Sequence, residues 1–333
     1  MVKSERIKAA LAKEAVDRIP LSIWYHMPEV DQDPVALAEK SIAVARKFDF
    51  DFIKMMPFGN YGAHDYGLSV TFYCTETQPA FERKFGISCI EDWLKIEPLP
   101  GYFGTHGKQV QFAQQLEKQL GGEDIPYVQT IFSPLTTAKK LAGPRIFEDI
   151  KENPAAVHQA LKAIAETTCN FCKANIEAGV AGFFFASQCS TYDLMTDEEY
   201  AEFGTPYDMM VLNSYVRETY FNIVHIHGDN TMFKRMASYP VNCVNWHDRW
   251  SSPTMPEARA ISDKCFLGGI NEKLFKEALR GEAIEKHLEE AITGAGSRGL
   301  MIGPGCVAKL PVDEGAFATA REAMNKLSKV YCK

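Results

Sequence analysis

The chain has 333 residues, enough for one large α/β barrel or two ordinary domains with a sizeable buried core. Apolar residues make up 46% and charged residues 24%, a globular balance, and no apolar run approaches the roughly 20 residues that cross a bilayer. The net charge of −7, from 43 acidic and 36 basic side chains, argues against nucleic acid or an anionic membrane as partner, since clustered Lys and Arg grip both.

In chain order, Met1 to Arg6 lead into an amphipathic helix and lack the apolar core of a signal peptide, so a cytoplasmic location is expected. Residues 18–24 read as a first strand. Residues 34–48 carry apolar positions at helical spacing, with Asp33 as N-cap. A second strand is expected over 50–57. Residues 58–126 are longer than a simple βα unit needs. They read as an elaborated loop, rich in glycine and aromatics over 58–67, with a small hairpin at 69–74. Further strands are expected at 127–134, 180–187, 222–228, 241–247, 264–270 and 299–304. Residues 146–178 read as two helices broken at Asn153-Pro154. Thr196-Asp197-Glu198-Glu199 is a capping box that opens a helix over 196–220. Helices are also expected over 271–279, 282–294 and 311–330.

Most of the eight strand candidates are continuous apolar runs, as parallel strands covered on both faces require. Strand–helix alternation repeated in this way predicts an α/β fold, a (β/α)8 TIM barrel forming a single domain over 1–333. A doubly wound sheet is the alternative, but no G-x-G-x-x-G follows the first strand. The nine scattered cysteines are odd in number and do not suggest a disulfide framework. Cys169 and Cys172 form a CxxC inside a helical stretch with no second pair nearby, so they read as packing.

In such barrels the active site lies at the C-terminal strand ends. His225 and His227 are two apart in a strand, so their imidazoles project from one face. Two imidazoles on a buried strand face are poor core material without partners. Cys306 ends the last strand. Two nitrogens and a remote thiolate make a zinc ligand set, so His225, His227 and Cys306 are the expected metal ligands. Asp248, His247, Asp229, substrate or water would complete the coordination. The bland reading is a hydrogen-bonded histidine pair and an inert buried thiol.

Several stretches resemble the uroporphyrinogen decarboxylase superfamily. They are Glu5-Arg6-Ile7-Lys8-Ala9-Ala10-Leu11 with Val16-Asp17-Arg18-Ile19-Pro20, and Tyr192 to Phe203 with Pro206-Tyr207. The stretches from His225 to Gly228 and from Gly303 to Cys306 are closer to the zinc-dependent corrinoid methyltransferase branch of that superfamily. The resemblance covers nearly the whole chain and implies the same (β/α)8 barrel. It implies zinc on His225, His227 and Cys306, with His227 standing where the branch has cysteine. The decarboxylases carry a basic arginine-containing segment after strand 1. Here that place holds Ile23-Trp24-Tyr25-His26-Met27-Pro28, which speaks against a porphyrinogen, since a polyanion needs positive partners. Asn60 sits near the place of an expected aspartate.

The implied activity is transfer of a methyl group between a corrinoid protein and a thiol or folate acceptor. Zinc and a methylcobalamin-type corrinoid presented by a partner protein are the implied cofactors. Trp24, Tyr25, Tyr61 and Tyr192 would form apolar walls, and Asn60, Gln188, Asn271 and His247 would orient polar groups. Asp248 would act as the carboxylate behind a histidine or as a ligand, making Asp248 and His247 the catalytic candidates. The alternatives are a decarboxylase or other lyase acting on a small non-porphyrin substrate, and a barrel that binds a corrinoid without turnover. A homodimer is left open.

Overall fold

The computed structural model describes residues 1–276 and 282–332. In chain order the strands are β1 (Ile53–Lys54), β2 (Ser69–Thr71), β3 (Phe81–Lys84), β4 (Tyr127–Phe132), β5 (Gly182–Ser187), β6 (Ile223–Ile226), β7 (Cys243–Trp246), β8 (Cys265–Ile270) and β9 (Leu300–Pro304). Seven of them form one parallel sheet in the order β1-β4-β5-β6-β7-β8-β9, with β2 and β3 as a separate antiparallel pair. β4 to β9 are buried along their whole length, as a sheet wrapped in helices requires.

The barrel closes through residues 20–25. The N–H of Ser22 donates to Ile302 O at 3.1 Å and that of Ile302 to Pro20 O at 2.7 Å, while the Asp51 N–H donates to Leu21 O at 2.8 Å. The expected first strand is therefore in place, but as isolated bridges at Leu21 and Tyr25. Pro20 has no N–H, and the Leu21 N–H is taken by the Asp51 carboxylate at 2.8 Å, so a continuous ladder lacks donors.

Local chemistry sets the helix ends. Asp33 accepts from the N–H groups of Val35 and Ala36 and opens the helix Pro34–Lys47. Asn153-Pro154 separates Ile146–Glu152 from Pro154–Glu177, with Asn153 capping the second helix. Cys169 and Cys172 lie in that helix, and all nine cysteines are free. Thr196 and Glu199 form the capping box.

Three expectations need correction. The helix over 196–220 is two helices, Asp197–Phe203 and Thr205–Asn213, because Pro206 cannot continue the first. The partner of the strand at 69–71 is β3, beyond residue 74, so the hairpin is larger than the sequence suggests. The helix over 271–279 is a 3-10 turn, Glu272–Lys276, and its last three positions lie outside the described residues. Among the described residues no helix is long and apolar enough to cross a membrane.

Candidate metal centre

β6 delivers His225 and, one residue past its end, His227 to the barrel mouth, and Gly228 turns away at φ 115°, a conformation that favours glycine. β7 runs beside β6 in register, pairing His225 with Asn245, so His247 arrives beside His227. β9 ends in Gly305-Cys306. A Cβ on Gly305 would stand 2.7 Å from Trp246 O and 2.9 Å from the His247 Cα, so only glycine lets this chain carry Cys306 so close to β7. The result brings four side chains together. The ligand atoms of His225, His227, His247 and Cys306 all lie within 4.8 Å of one another.

The surrounding hydrogen bonds fix which nitrogens are free. Asn245 donates from Nδ2 to Leu267 O at 2.7 Å and Pro304 O at 3.1 Å, so its Oδ1 faces the His225 Nδ1 at 2.6 Å. That places the His225 proton on Nδ1 and leaves Nε2 as the donor atom for a metal. His247 Nδ1 lies 2.8 Å from Glu272 Oε1, which also accepts the Trp250 indole N–H at 2.8 Å. Burial pushes the Glu272 carboxyl up, but the hydrogen bonds from His247 and Trp250 outweigh this and hold it below its ordinary value. As an ionised acceptor it keeps the His247 proton on Nδ1 and aims the Nε2 lone pair at His227 Nδ1, 3.1 Å away. Cys306 Sγ lies 3.8 Å from the same His227 nitrogen.

The electrostatics suit a cation. Burial, then the neighbouring imidazoles, push His225 far below its usual range and His227 down to about 4, so both are neutral and able to ligate at neutral pH. Burial raises the Cys306 thiol, an effect that a bound cation reverses by stabilising the thiolate. Two imidazoles with outer nitrogens anchored on an amide and a carboxylate, a third imidazole and one thiol form a donor set that fits zinc.

A cavity of about 240 Å³ opens onto this cluster. His225, His227 and Cys306 line it, whereas buried His247 stands behind them. Its walls include Trp24, Phe184 and Phe132, and Gln188 supplies an amide. Trp24 and Gln188, two of the residues singled out in the sequence, thus line the cavity. Asn60 is adjacent, accepting from cavity-lining Lys140 at 3.2 Å and donating to Glu82 at 2.9 Å.

The other expected site residues do not line the cavity. Tyr25 points out of the barrel onto Phe317, with ring centroids 5.7 Å apart. Tyr61 is buried among His106, Phe132 and Phe171 and donates to Thr130 O at 2.8 Å. Tyr192 is 49% exposed on the loop after β5. Asn271 caps a turn through the Lys273 N–H. The buried Asp248 carboxylate accepts the Gly269 N–H at 3.1 Å and is not among the four clustered groups; Glu272 occupies the position behind a histidine considered for it. Asp229, considered as a fourth ligand, is also outside the cluster.

Sequence reasoning missed Asn245, Glu272, His26, Lys54, Lys140 and Lys309. Asn245 had a signal, since pairing the fifth and sixth expected strands in register sets it opposite His225. Lys54 had another, being a charge inside the otherwise apolar run Phe52-Ile53-Lys54-Met55-Met56. Glu272 comes from the turn after β8 and had none.

A model of the family described as Uroporphyrinogen decarboxylase (URO-D) matches residues 2–327. No curated protein matches the chain. Among solved structures the chain is similar to a methyltransferase from Methanosarcina mazei, with 15% identity and a TM-score of 0.80 over 98% of this chain and 99% of that one. It is also similar to a B12-independent methionine synthase from Shewanella sp. W3-18-1 in complex with selenomethionine, with 12% identity and a TM-score of 0.59 over 94% of this chain and 93% of that one. At these identities the likeness to solved structures concerns the barrel. The family match spans the same strands that converge on the cluster, and by it the chain belongs to the uroporphyrinogen decarboxylase family.

Proposed function

We propose that this chain is a zinc-dependent methyltransferase that moves a methyl group from a corrinoid carried by a partner protein to a small acceptor, a thiol in preference to a folate. The observation that carries the reading is the cluster itself: His225, His227 and Cys306 present nitrogen and sulfur donors to a cavity at the C-terminal ends of the barrel strands. The proposal extends to this chain the activity named for the Methanosarcina mazei protein.

A zinc ion held there supplies a Lewis acid that lowers the pKa of a bound thiol. His225, His227 and Cys306 would hold the ion from the cavity side and His247 from behind, so a thiol entering the cavity would reach it from the side opposite His247. The chain's own residues do the rest. Asn245 and Glu272 hold the imidazoles in their ligating tautomers. Trp24, Phe132 and Phe184 exclude water, and Gln188 offers an amide to a polar group. In the transfer the acceptor loses its S–H proton to solvent and its sulfur pair forms the new sulfur–carbon bond. The cobalt–carbon pair stays on the partner's cobalt. A cavity of about 240 Å³ takes a small thiol whole, while a folate or porphyrinogen would protrude.

A second reading, a decarboxylase or other lyase on a small non-porphyrin substrate, is favoured by one observation. Buried Lys54, pushed down to about 7 by burial, lines the same cavity and is suited to hand on a proton near neutral pH. One assay separates the two. Zinc-loaded protein mixed with methylcobalamin and a panel of thiols is expected to lose the methyl–cobalt absorbance as thioether forms, and Cys306→Ala to lose zinc and this activity while keeping its circular dichroism. No transfer to any thiol or folate sinks the methyltransferase.

A further inference from the structure

Lys54 sits on β1 within the otherwise apolar run Phe52-Ile53-Lys54-Met55-Met56. The two-residue period of a strand turns it to the same side as Phe52 and Met56. It is only 6% exposed, yet it lines the cavity beside Trp24, Met56, Thr130 and Phe184. Among the described residues no carboxylate oxygen lies within ion-pair distance of it, and no carboxylate lines the cavity. A full charge held there without a counter-charge would cost several kcal/mol, roughly the effective penalty for burying one ion.

The hydrogen bonds fit the neutral form. Thr130 donates its hydroxyl proton to Met55 O at 2.6 Å and so accepts from Lys54 Nζ at 2.9 Å. The Met56 thioether stands 2.9 Å from the same nitrogen. A neutral amine has two N–H donors, which these two acceptors take, and its lone pair is left over. An ammonium has three, and among the described residues the third finds no acceptor. Phe184, with its ring centroid 4.3 Å from Nζ, offers a cation–π contact of about 2 kcal/mol at best, less than burial costs a full charge. Burial accordingly pushes Lys54 down to about 7, against the weaker pull of Cys306. About half of it is then neutral at pH 7, against roughly one in a few thousand for an exposed lysine. The other titratable groups on the cavity are His26, His225, His227, Lys140 and Lys309. His26 is pushed down to about 4 by burial and then by the charge of Lys54, so it too is neutral.

We infer that Lys54 is a nucleophilic amine, and that the cavity takes a small aldehyde or ketone which Lys54 binds covalently as an imine. A desolvated lysine with a free nitrogen pair in an apolar cavity is the arrangement that carbonyl condensation needs. The nitrogen pair attacks the carbonyl carbon and forms the C–N bond while the carbonyl π pair moves to oxygen. One N–H proton passes to that oxygen, giving a carbinolamine. The hydroxyl then leaves as water with the second N–H proton, and the C=N bond closes. Thr130 Oγ1, already in contact with the amine, and neutral His26 on the cavity wall are the groups placed to relay these protons. The step does not depend on methyl transfer. For the lyase reading above it names the substrate class, a small carbonyl compound whose protonated imine draws electrons from the neighbouring carbon.

The test is reductive trapping. The purified protein is incubated with acetone and cyanoborohydride, which reduces an imine and leaves the ketone and the free amine alone, and each lysine is followed by peptide mass mapping. Near pH ~7, Lys54 is expected to gain the isopropyl group at least about tenfold faster than any other lysine, a fraction of its advantage in neutral amine because a buried nitrogen is reached more slowly. Its rate should level off above pH ~7, where the amine is already neutral, while the rates of exposed lysines climb towards pH ~10. Lys54→Met, similar in length and apolar, should lose this label and keep its circular dichroism. If that variant does not fold, the mapping and the pH profile of the unsubstituted protein decide. Labelling of Lys54 no faster than that of surface lysines, a label on Lys140 in its place, or a Lys54 rate that rises through pH ~10 overturns the inference. The readout is a bond to Lys54 and not turnover, so its failure is distinct from failure of the methyl-transfer or lyase assays.

Discussion

Glu272 shows how one side chain can act on a candidate ligand set that it does not join. It reaches the cluster only through His247, yet its carboxylate decides which imidazole nitrogen is free. Glu272→Gln keeps the shape but replaces an ionised acceptor with an amide that can be turned either way. Zinc affinity measured by competition with a chelating dye is expected to fall about 10–100-fold, the usual cost of losing such a partner. His227 poses a different question. It lies within reach of both Cys306 and His247, and it stands where the methyltransferase branch resembled by the chain has cysteine. A second thiolate would weaken zinc as a Lewis acid and leave a bound acceptor sulfur more electron-rich. His227→Cys should therefore still bind about one zinc per chain and retain or raise thiol methylation. Loss of metal in that variant would show that the imidazole geometry is required.

At the scale of elements, the helix Thr205–Asn213 carries a buried carboxylate onto two tyrosines. Asp208 Oδ2 accepts from Tyr200 Oη at 2.7 Å and from Tyr239 Oη at 2.8 Å. Burial raises the Asp208 carboxyl to about 7 despite these hydrogen bonds, so its ionisation works against folding. The sign follows from linkage. A carboxyl higher in the folded than in the unfolded chain contributes stability that is complete below pH ~4 and is lost as pH rises towards 7. Asp208→Asn removes that slope. Chemical denaturation from pH 4 to pH 8 should show the unsubstituted protein losing up to ~4 kcal/mol relative to the variant. Parallel curves for the two proteins would mean that Asp208 is already ionised in the folded state. Element boundaries tell a similar story. Asp33, Asn153-Pro154 and the Thr196–Glu199 box were legible because capping is chemistry between near neighbours in the chain. The split at Pro206 was equally local, and the residue that makes it is plain in the sequence.

Across the whole molecule, the end of the barrel opposite the cluster is tied together by one residue. Asp51 is fully buried and accepts from Arg6 at 2.7 Å, Arg18 at 2.8 Å, the Leu21 N–H at 2.8 Å and Arg321 at 3.1 Å. It joins the N-terminal helix Lys3–Leu11, the closing segment of the barrel and the C-terminal helix Glu314–Tyr331. Removing its charge would take from buried Arg321 the carboxylate it pairs with and leave Arg6 and Arg18 with one carboxylate each, Asp17 and Asp49. Asp51→Asn is expected to cost about 3–5 kcal/mol in equilibrium unfolding, with the zinc stoichiometry of the folded fraction unchanged because the metal cluster lies at the other end. A loss below about 1 kcal/mol would mean that Asp17 and Asp49 suffice for Arg6 and Arg18 and that Arg321 finds another partner.

The sequence by itself determined the barrel and three of the four side chains of its candidate metal cluster. Buried parallel strands must be nearly continuous apolar runs, so their number and order could be read directly, and the period of two set His225 and His227 on one face. Cys306 followed from its place at the last strand end. Only the tertiary structure decided the rest. That His247 joins the cluster depends on the register of β7 against β6, and that Glu272 supports it depends on a turn after β8 folding back across the barrel mouth. Lys54, Lys140 and Lys309 come from separate strand ends and an adjoining helix, far apart in the chain. Periodicity reports which way a side chain faces relative to its own backbone. Which side chains share a cavity depends on how elements distant in sequence close on one another, and no local pattern records that distance.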